Sequence, residues 1–137
     1  MISWFITKKM EKVNFETVQI ALKNMSEYYI INTLSVQEQD CLIYGTLSAE
    51  KEEPILNEML HNSILPDKII IVYGKNSQDE SPYRKVSQLK ELGIKDVFVY
   101  TGGLFEWLLL QDIYGHKEFP TSTRMLDILK YKSIKTS

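Results

Sequence analysis

The run Lys68-Ile69-Ile70-Ile71-Val72-Tyr73, closed by Gly74, decides the fold. Its four consecutive β-branched residues favour extended backbone. With no polar residue alternating among them, they predict a strand buried on both faces, as a central parallel strand is. A polar loop, Gly74 to Ser81, follows. Ser81 and Pro82 then suit the cap and first position of a helix running to about Leu92, with Gly93 placed to close it.

The same alternation extends in both directions. Toward the N-terminus, Tyr28 to Asn32 reads as a buried strand, and Asn14 as the cap of a helix over Phe15 to Lys23. A polar loop from Ser35 to Asp40 leads to a short strand expected around Gly45 to Ser48. Glu50, Glu52 and Glu53, with Pro54 near the first turn, mark the positive end of another helix carrying Ile55, Leu56, Met59 and Leu60. Toward the C-terminus, Asp96 to Tyr100 is a strand, Gly102-Gly103 a tight turn and Leu104 to Leu110 an apolar helix. Strands and helices alternating at this spacing predict an α/β domain, with a central parallel sheet of about 4–5 strands flanked by helices on both faces. The pattern breaks after Gly115 at Pro120, and Met125 to Tyr131 is expected to form one last short helix. This divides the chain into an N-terminal extension (1–13), a domain (14–115) and a C-terminal tail (116–137).

At 137 residues the chain has the length of one domain. Sixteen basic against eighteen acidic residues give a net charge of -2, which offers no electrostatic footprint for nucleic acid. No run approaches the ~20 apolar residues of a membrane span, and the apolar stretch after Met1 is shorter than a signal-peptide core of roughly 7–15 residues. Met10 offers a second start, which would make residues 1–9 an optional extension. Cys41 is the single cysteine, so neither an internal disulfide nor a cysteine-based zinc site is available. His61 and His116 are too far apart for a short ligand motif, and neither metal nor cofactor is expected. A lone thiol suits a reducing compartment, hence an intracellular, cytoplasmic setting.

Four stretches fall in a familiar order: Ile31-Asn32-Thr33-Leu34 after the first strand, Cys41-Leu42-Ile43-Tyr44-Gly45-Thr46, Ile70-Ile71-Val72-Tyr73 running into Gly74, and Gly102-Gly103-Leu104-Phe105-Glu106-Trp107. From about Asn14 to Gly115 the chain resembles a single rhodanese domain, and the Gly-Gly-x-x-x-Trp signature is the most specific match. More loosely, the whole chain, including Glu118-Phe119-Pro120 and Leu129-Lys130-Tyr131, resembles rhodanese-like proteins of large DNA viruses and some protists. The resemblance implies a doubly covered parallel sheet, and a catalytic cysteine immediately after the central strand. Here that position holds Gly74. The related phosphatase loops run cysteine, five residues, arginine, and here the last position is Glu80.

The departures govern the functional expectation. Rhodanese chemistry needs a thiolate that accepts a sulfane sulfur and passes it on, in a loop whose N–H groups hold the anionic donor. Gly74 carries no nucleophile, and Asp79 and Glu80 put negative charge where the anion would sit, with Lys75 as the one offset. The loop Gly74, Lys75, Asn76, Ser77, Gln78, Asp79, Glu80 therefore reads as a degenerate active site. It retains the capacity to meet a neutral or cationic group through Asn76, Ser77 and its acids. Cys41 is the remaining candidate nucleophile, read chiefly as a buried, inert thiol. Arg84 and Lys85 could meet an anion but read as a solvated helix face. Asp112 and His116 are spaced to pair, and Trp107 with Phe105 and Leu108 to Leu110 reads as core.

The expectation is a catalytically inactive rhodanese-like module that binds a protein partner, or a second copy of itself, with no nucleic acid and no membrane. Two other readings stand beside it. One is a sulfurtransferase using Cys41 as its sulfur carrier. The other is a structural viral protein, in an infected host cell or in the virion.

Overall fold

The structure, a computed structural model, describes residues 11–61 and 68–134. Its chain order is β1 (Lys12–Val13), α1 (Phe15–Leu22), β2 (Tyr28–Asn32), α2 (Ala49–His61), β3 (Ile69–Tyr73), α3 (Ser81–Glu91), β4 (Val97–Tyr100) and α4 (Gly103–Tyr114). Two 3-10 turns, Val36–Glu38 and Ile128–Tyr131, complete it. The four strands form one parallel sheet in the order β1-β4-β3-β2.

β3 is central, paired with β2 from Tyr28↔Ile69 to Asn32↔Tyr73 and with β4 from Ile70↔Val97 to Tyr73↔Tyr100. Alternate side chains leave a strand on opposite faces, and both faces here are apolar. Ile71 and Tyr73 join Ile30, Tyr100, Val18 and Ala21 of α1, and Leu104, Trp107 and Leu108 of α4 on one side. Ile70 and Val72 join Ile31, Val97 and Val99, Leu56 of α2, and Val86 and Leu89 of α3 on the other. Each buried Val, Leu or Ile among them stabilises by about 1.5–3 kcal/mol relative to an exposed one.

Several sequence expectations hold closely. Asn14 caps α1, its Oδ1 accepting the N–H groups of Glu16 and Thr17 at 3.0 and 3.3 Å. Gly93 closes α3 with φ +104°, and Gly93 N and Ile94 N donate to Lys90 O and Leu89 O, each at 3.0 Å. Such a left-handed terminator is where glycine costs least.

Others are corrected. Gly45 to Ser48 is not a strand: it contributes one bridge, Ile30↔Thr46, and one hydrogen bond from Leu47 N to Ile30 O, 2.8 Å. α2 begins at Ala49, so Pro54 lies inside the helix rather than in its first turn. Met125 to Tyr131 forms only a 3-10 turn, Ile128–Tyr131. The segment set aside as an extension contains a sheet strand, since Lys12 and Val13 pair with Val99 and Tyr100 and Glu11 O accepts Val99 N at 3.1 Å; residues 1–10 lie outside the described residues.

The C-terminal segment is part of the core. Phe119, Thr121 and Tyr131 are buried, and Phe119 packs edge-on against Trp107 with ring centroids 5.0 Å apart. Trp107 Nε1 donates to Pro120 O at 3.0 Å, and Thr121 bridges to Ile43.

Candidate functional site

The loop between β3 and α3 sits at the C-terminal edge of the sheet, where open α/β folds place ligands. β3 delivers Gly74, α3 begins at Ser81, and the chain between them is held by hydrogen bonds and ion pairs of Lys75, Asn76 and Asp79.

Its centre is the carboxylate of Asp79. Oδ2 accepts the N–H of Lys75 at 2.9 Å; Oδ1 accepts the N–H of Ser81 at 2.9 Å and the Ser81 hydroxyl at 2.7 Å. Asp79, rather than Ser81, is therefore the residue whose side chain satisfies the start of α3. Because Ser81 spends its one hydroxyl proton on Asp79, the Thr33 hydroxyl 2.6 Å away donates to Ser81 Oγ. That chain ties the end of β2 to the start of α3. Burial raises the pKa of Asp79, but the N–H groups of Lys75 and Ser81 and the Ser81 hydroxyl outweigh it and hold the carboxyl below its ordinary value.

Asp79 also closes the space above Gly74. A Cβ on Gly74 would lie inside 3.0 Å of the Asp79 carboxylate and 2.8 Å from Pro82 Cγ. A side chain at position 74 and this placement of Asp79 exclude one another.

Lys75 and Asn76 are held in the same way. Lys75 pairs with Glu38 of the 3-10 turn after β2, whose carboxyl that contact and the Ser35 hydroxyl hold below its ordinary value. Asn76 uses Oδ1 to accept Gln78 N at 2.9 Å and Nδ2 to donate to Tyr131 O at 3.0 Å, fastening the C-terminal segment to the loop. Ser77, Gln78 and Glu80 are exposed. Glu80 meets Arg84 one turn along α3 at 3.9 Å on the surface. Lys85 does not face the loop; it pairs with Glu52 of α2 at 2.9 Å and joins the two helices.

The Gly102-Gly103 turn locks the loop from the other side. Leu104 N and Phe105 N donate to Gly74 O and Lys75 O, both at 2.9 Å. So close an approach requires Gly103: its φ is +69°, and a Cβ there would stand 2.8 Å from Asn76 N and 2.9 Å from Gly74 O. Glu106 folds over Gly102 and accepts the Tyr100 hydroxyl at 2.8 Å, while Trp107 enters the core. The signature thus encodes a loop-clamping helix start rather than a reacting group.

Above the loop lies an open groove of about 410 Å³, bordered by Thr33, Ser35, Glu38, Gln78, Lys132 and Ile134. Lys132 and Ile134, absent from the sequence expectations for this loop, reach it because Asn76 holds the backbone at Tyr131. Cys41 lies elsewhere. It is fully buried among Ile43, Tyr73 and Tyr131, and its Sγ donates to Thr123 O at 3.4 Å. Tyr73 closes a ring of hydrogen bonds beside it, with Ile43 N at 3.1 Å and Thr46 Oγ1 at 2.8 Å, and burial pushes its phenol well above the ordinary range. Asp112 and His116 form no ion pair among the described residues; His116 Nε2 accepts Thr121 N at 3.5 Å. No group of three or more His, Cys, Asp or Glu side chains among the described residues could hold a metal, and no helix there is long and apolar enough to cross a membrane.

The strand–loop–helix site at the sheet edge and the Gly-Gly-x-x-x-Trp helix start follow the order of stretches on which the sequence resemblance rests; the clamp between them is visible only in the structure. The sequence model of the Rhodanese-like domain matches residues 26–110, more than half of the chain. The chain belongs to the rhodanese-like family. This rhodanese-like domain is also similar to solved structures. One is a full-length protein from Lactobacillus plantarum, at TM-score 0.59 and 15% identity over 90% of this chain and 96% of that one. A second is the rhodanese-like domain of an Anabaena protein, at TM-score 0.57 and 20% identity over 92% and 86%. A third is a yeast protein tyrosine phosphatase of the Rhodanese family, at TM-score 0.56 and 17% identity over 87% and 96%. At these identities the likeness is one of fold. Comparison with curated protein sequences gave no match.

Proposed function

We propose that this rhodanese-like domain transfers neither sulfur nor phosphoryl groups and serves as a protein-binding or regulatory module through the face around Gly74 to Ser81. One observation carries the reading. The Asp79 carboxylate occupies the space directly above the residue that follows β3, and engages N–H groups of the loop and of the helix start. Those are the groups with which such a loop would hold an anionic donor. An internal carboxylate on them opposes an incoming thiosulfate or phosphate by occupancy and by charge.

The Cys41 carrier reading gains no support from the thiol's surroundings. A persulfide forms on an accessible thiolate, and the Cys41 sulfur is enclosed by apolar core.

The test pairs activity with spectroscopy. Wild-type protein is assayed for sulfur transfer from thiosulfate to cyanide and for aryl phosphate hydrolysis, and its Lys75 and Ser81 amide resonances are followed as thiosulfate is added. The reading expects no turnover and no shift in the wild type, and anion-dependent shifts once Asp79→Ala empties the loop. Turnover by the wild type would overturn it.

A further inference from the structure

A second surface, separate from the loop, has the makings of a binding site. It is a groove of about 390 Å³ between α1 and the segment His116 to Pro120. Leu22 and Pro120 are its half-buried apolar lining, and Tyr44, 59% exposed, stands beside them. The walls are fixed in place: Gln19 Nε2 donates to Glu118 O at 2.9 Å, while Tyr44 N and Trp107 Nε1 both donate to Pro120 O at 3.0 Å. A groove already rigid needs little ordering to receive a ligand.

Its charge runs against that of the whole chain. The chain carries -2, yet Lys23 and Lys117 line this groove with Glu118 as the single acid. Neither lysine has a carboxylate partner within 4.0 Å among the described residues. Exposed tyrosine beside an apolar recess is a common anchor of protein interfaces, and two uncommitted cations beside it select the sign of what approaches.

We infer that this groove binds an extended segment of a partner protein that carries an aromatic or branched apolar side chain flanked by carboxylates. The apolar side chain enters between Leu22 and Pro120 against Tyr44, and the carboxylates meet Lys23 and Lys117. The site is independent of the loop and stands whether or not the loop is inactive.

The probe is a capped peptide, Glu-Glu-Phe-Glu-Glu, titrated into the isotope-labelled full chain at low salt. Saturable shifts are expected at the amides of Leu22, Tyr44 and Lys117, and should diminish as salt screens the lysines. Binding should weaken at least tenfold in Tyr44→Ala and in the double variant Lys23→Glu with Lys117→Glu. All three side chains are exposed, so a dispersed spectrum shows the fold intact. A peptide with alanine for phenylalanine, or with lysine for every glutamate, should bind at least tenfold more weakly. Equal binding of all three peptides, or shifts confined to other surfaces, would overturn the inference. So would tighter binding of a single-stranded oligonucleotide, or concentration-dependent shifts at the groove without peptide, which would make the occupant a second copy of this chain.

Discussion

Asp79 and Gly74 are sterically coupled: the carboxylate of one fills the position that a side chain on the other would need. The coupling accounts for the loop's hydrogen bonding and sets what substitutions there will do.

Gly74→Cys should not create a sulfurtransferase. The new Cβ would collide with Asp79 and Pro82, and overpacking of this kind costs about 1–3 kcal/mol. Urea denaturation should show the loss, and thiosulfate-to-cyanide transfer should stay at background. Adding Asp79→Ala should relieve part of the strain and expose the loop N–H groups.

Asp79→Ala alone should destabilise by about 1–2 kcal/mol, as losing a helix-start cap does. The Lys75 and Ser81 N–H groups lose their acceptor. Glu80→Ala, one residue along and exposed, should change the urea midpoint little.

Stability should fall at both extremes of pH. Asp79 and Glu38 have folded pKa values below their ordinary 3.8 and 4.5. Their contribution is present above those values and lost as pH drops through the folded ones, and Asp79→Asn should flatten that acid limb. Burial raises the phenols of Tyr73, Tyr100 and Tyr131, the last to about 12. For each, stability is full below the ordinary 10.0 and declines as pH rises above it. Urea midpoints across pH would read both limbs.

Gly103→Ala should cost more than Gly93→Ala. Both glycines have positive φ, but only at Gly103 would the Cβ strike backbone, at Asn76 and Gly74. Gly93 has open space around it, so its penalty is conformational, about 1 kcal/mol. Thermal unfolding of the two variants would rank them.

Tyr131→Phe should be neutral or stabilising, because the Tyr131 hydroxyl is buried with no hydrogen-bond partner among the described residues. Tyr73→Phe, which breaks a satisfied ring with Thr46 and Ile43, should cost about 1–2 kcal/mol. The comparison is a denaturation experiment on two otherwise similar variants.

What was legible in the sequence follows from burial. β2, β3 and β4 are covered on both faces, so β3 and β4 read as uninterrupted apolar runs and β2 as one up to its last residue, Asn32. β1 has only Lys12 and Val13 at the sheet edge, too short to show any period, and Gly45 to Ser48 is held by a single bridge. In the loop, the missing nucleophile and the two acids were readable as residue types. That Asp79 turns inward while Glu80 stays in solvent was not, because loop backbone geometry decides it. The one available signal was an Asp two residues before a helix-starting Ser-Pro. The role of Lys132 and Ile134 at the groove was hidden for a different reason: it depends on the Asn76 to Tyr131 hydrogen bond, 55 residues apart in sequence.

The most direct test of the central claim is the intact mass of the purified protein before and after incubation with thiosulfate under non-reducing conditions. An internally occupied loop with no nucleophile, in a chain whose one thiol is enclosed in the core, predicts an unchanged mass. A gain of one sulfur atom, removed by reductant and absent in Cys41→Ser, would contradict the account and make Cys41 a persulfide carrier.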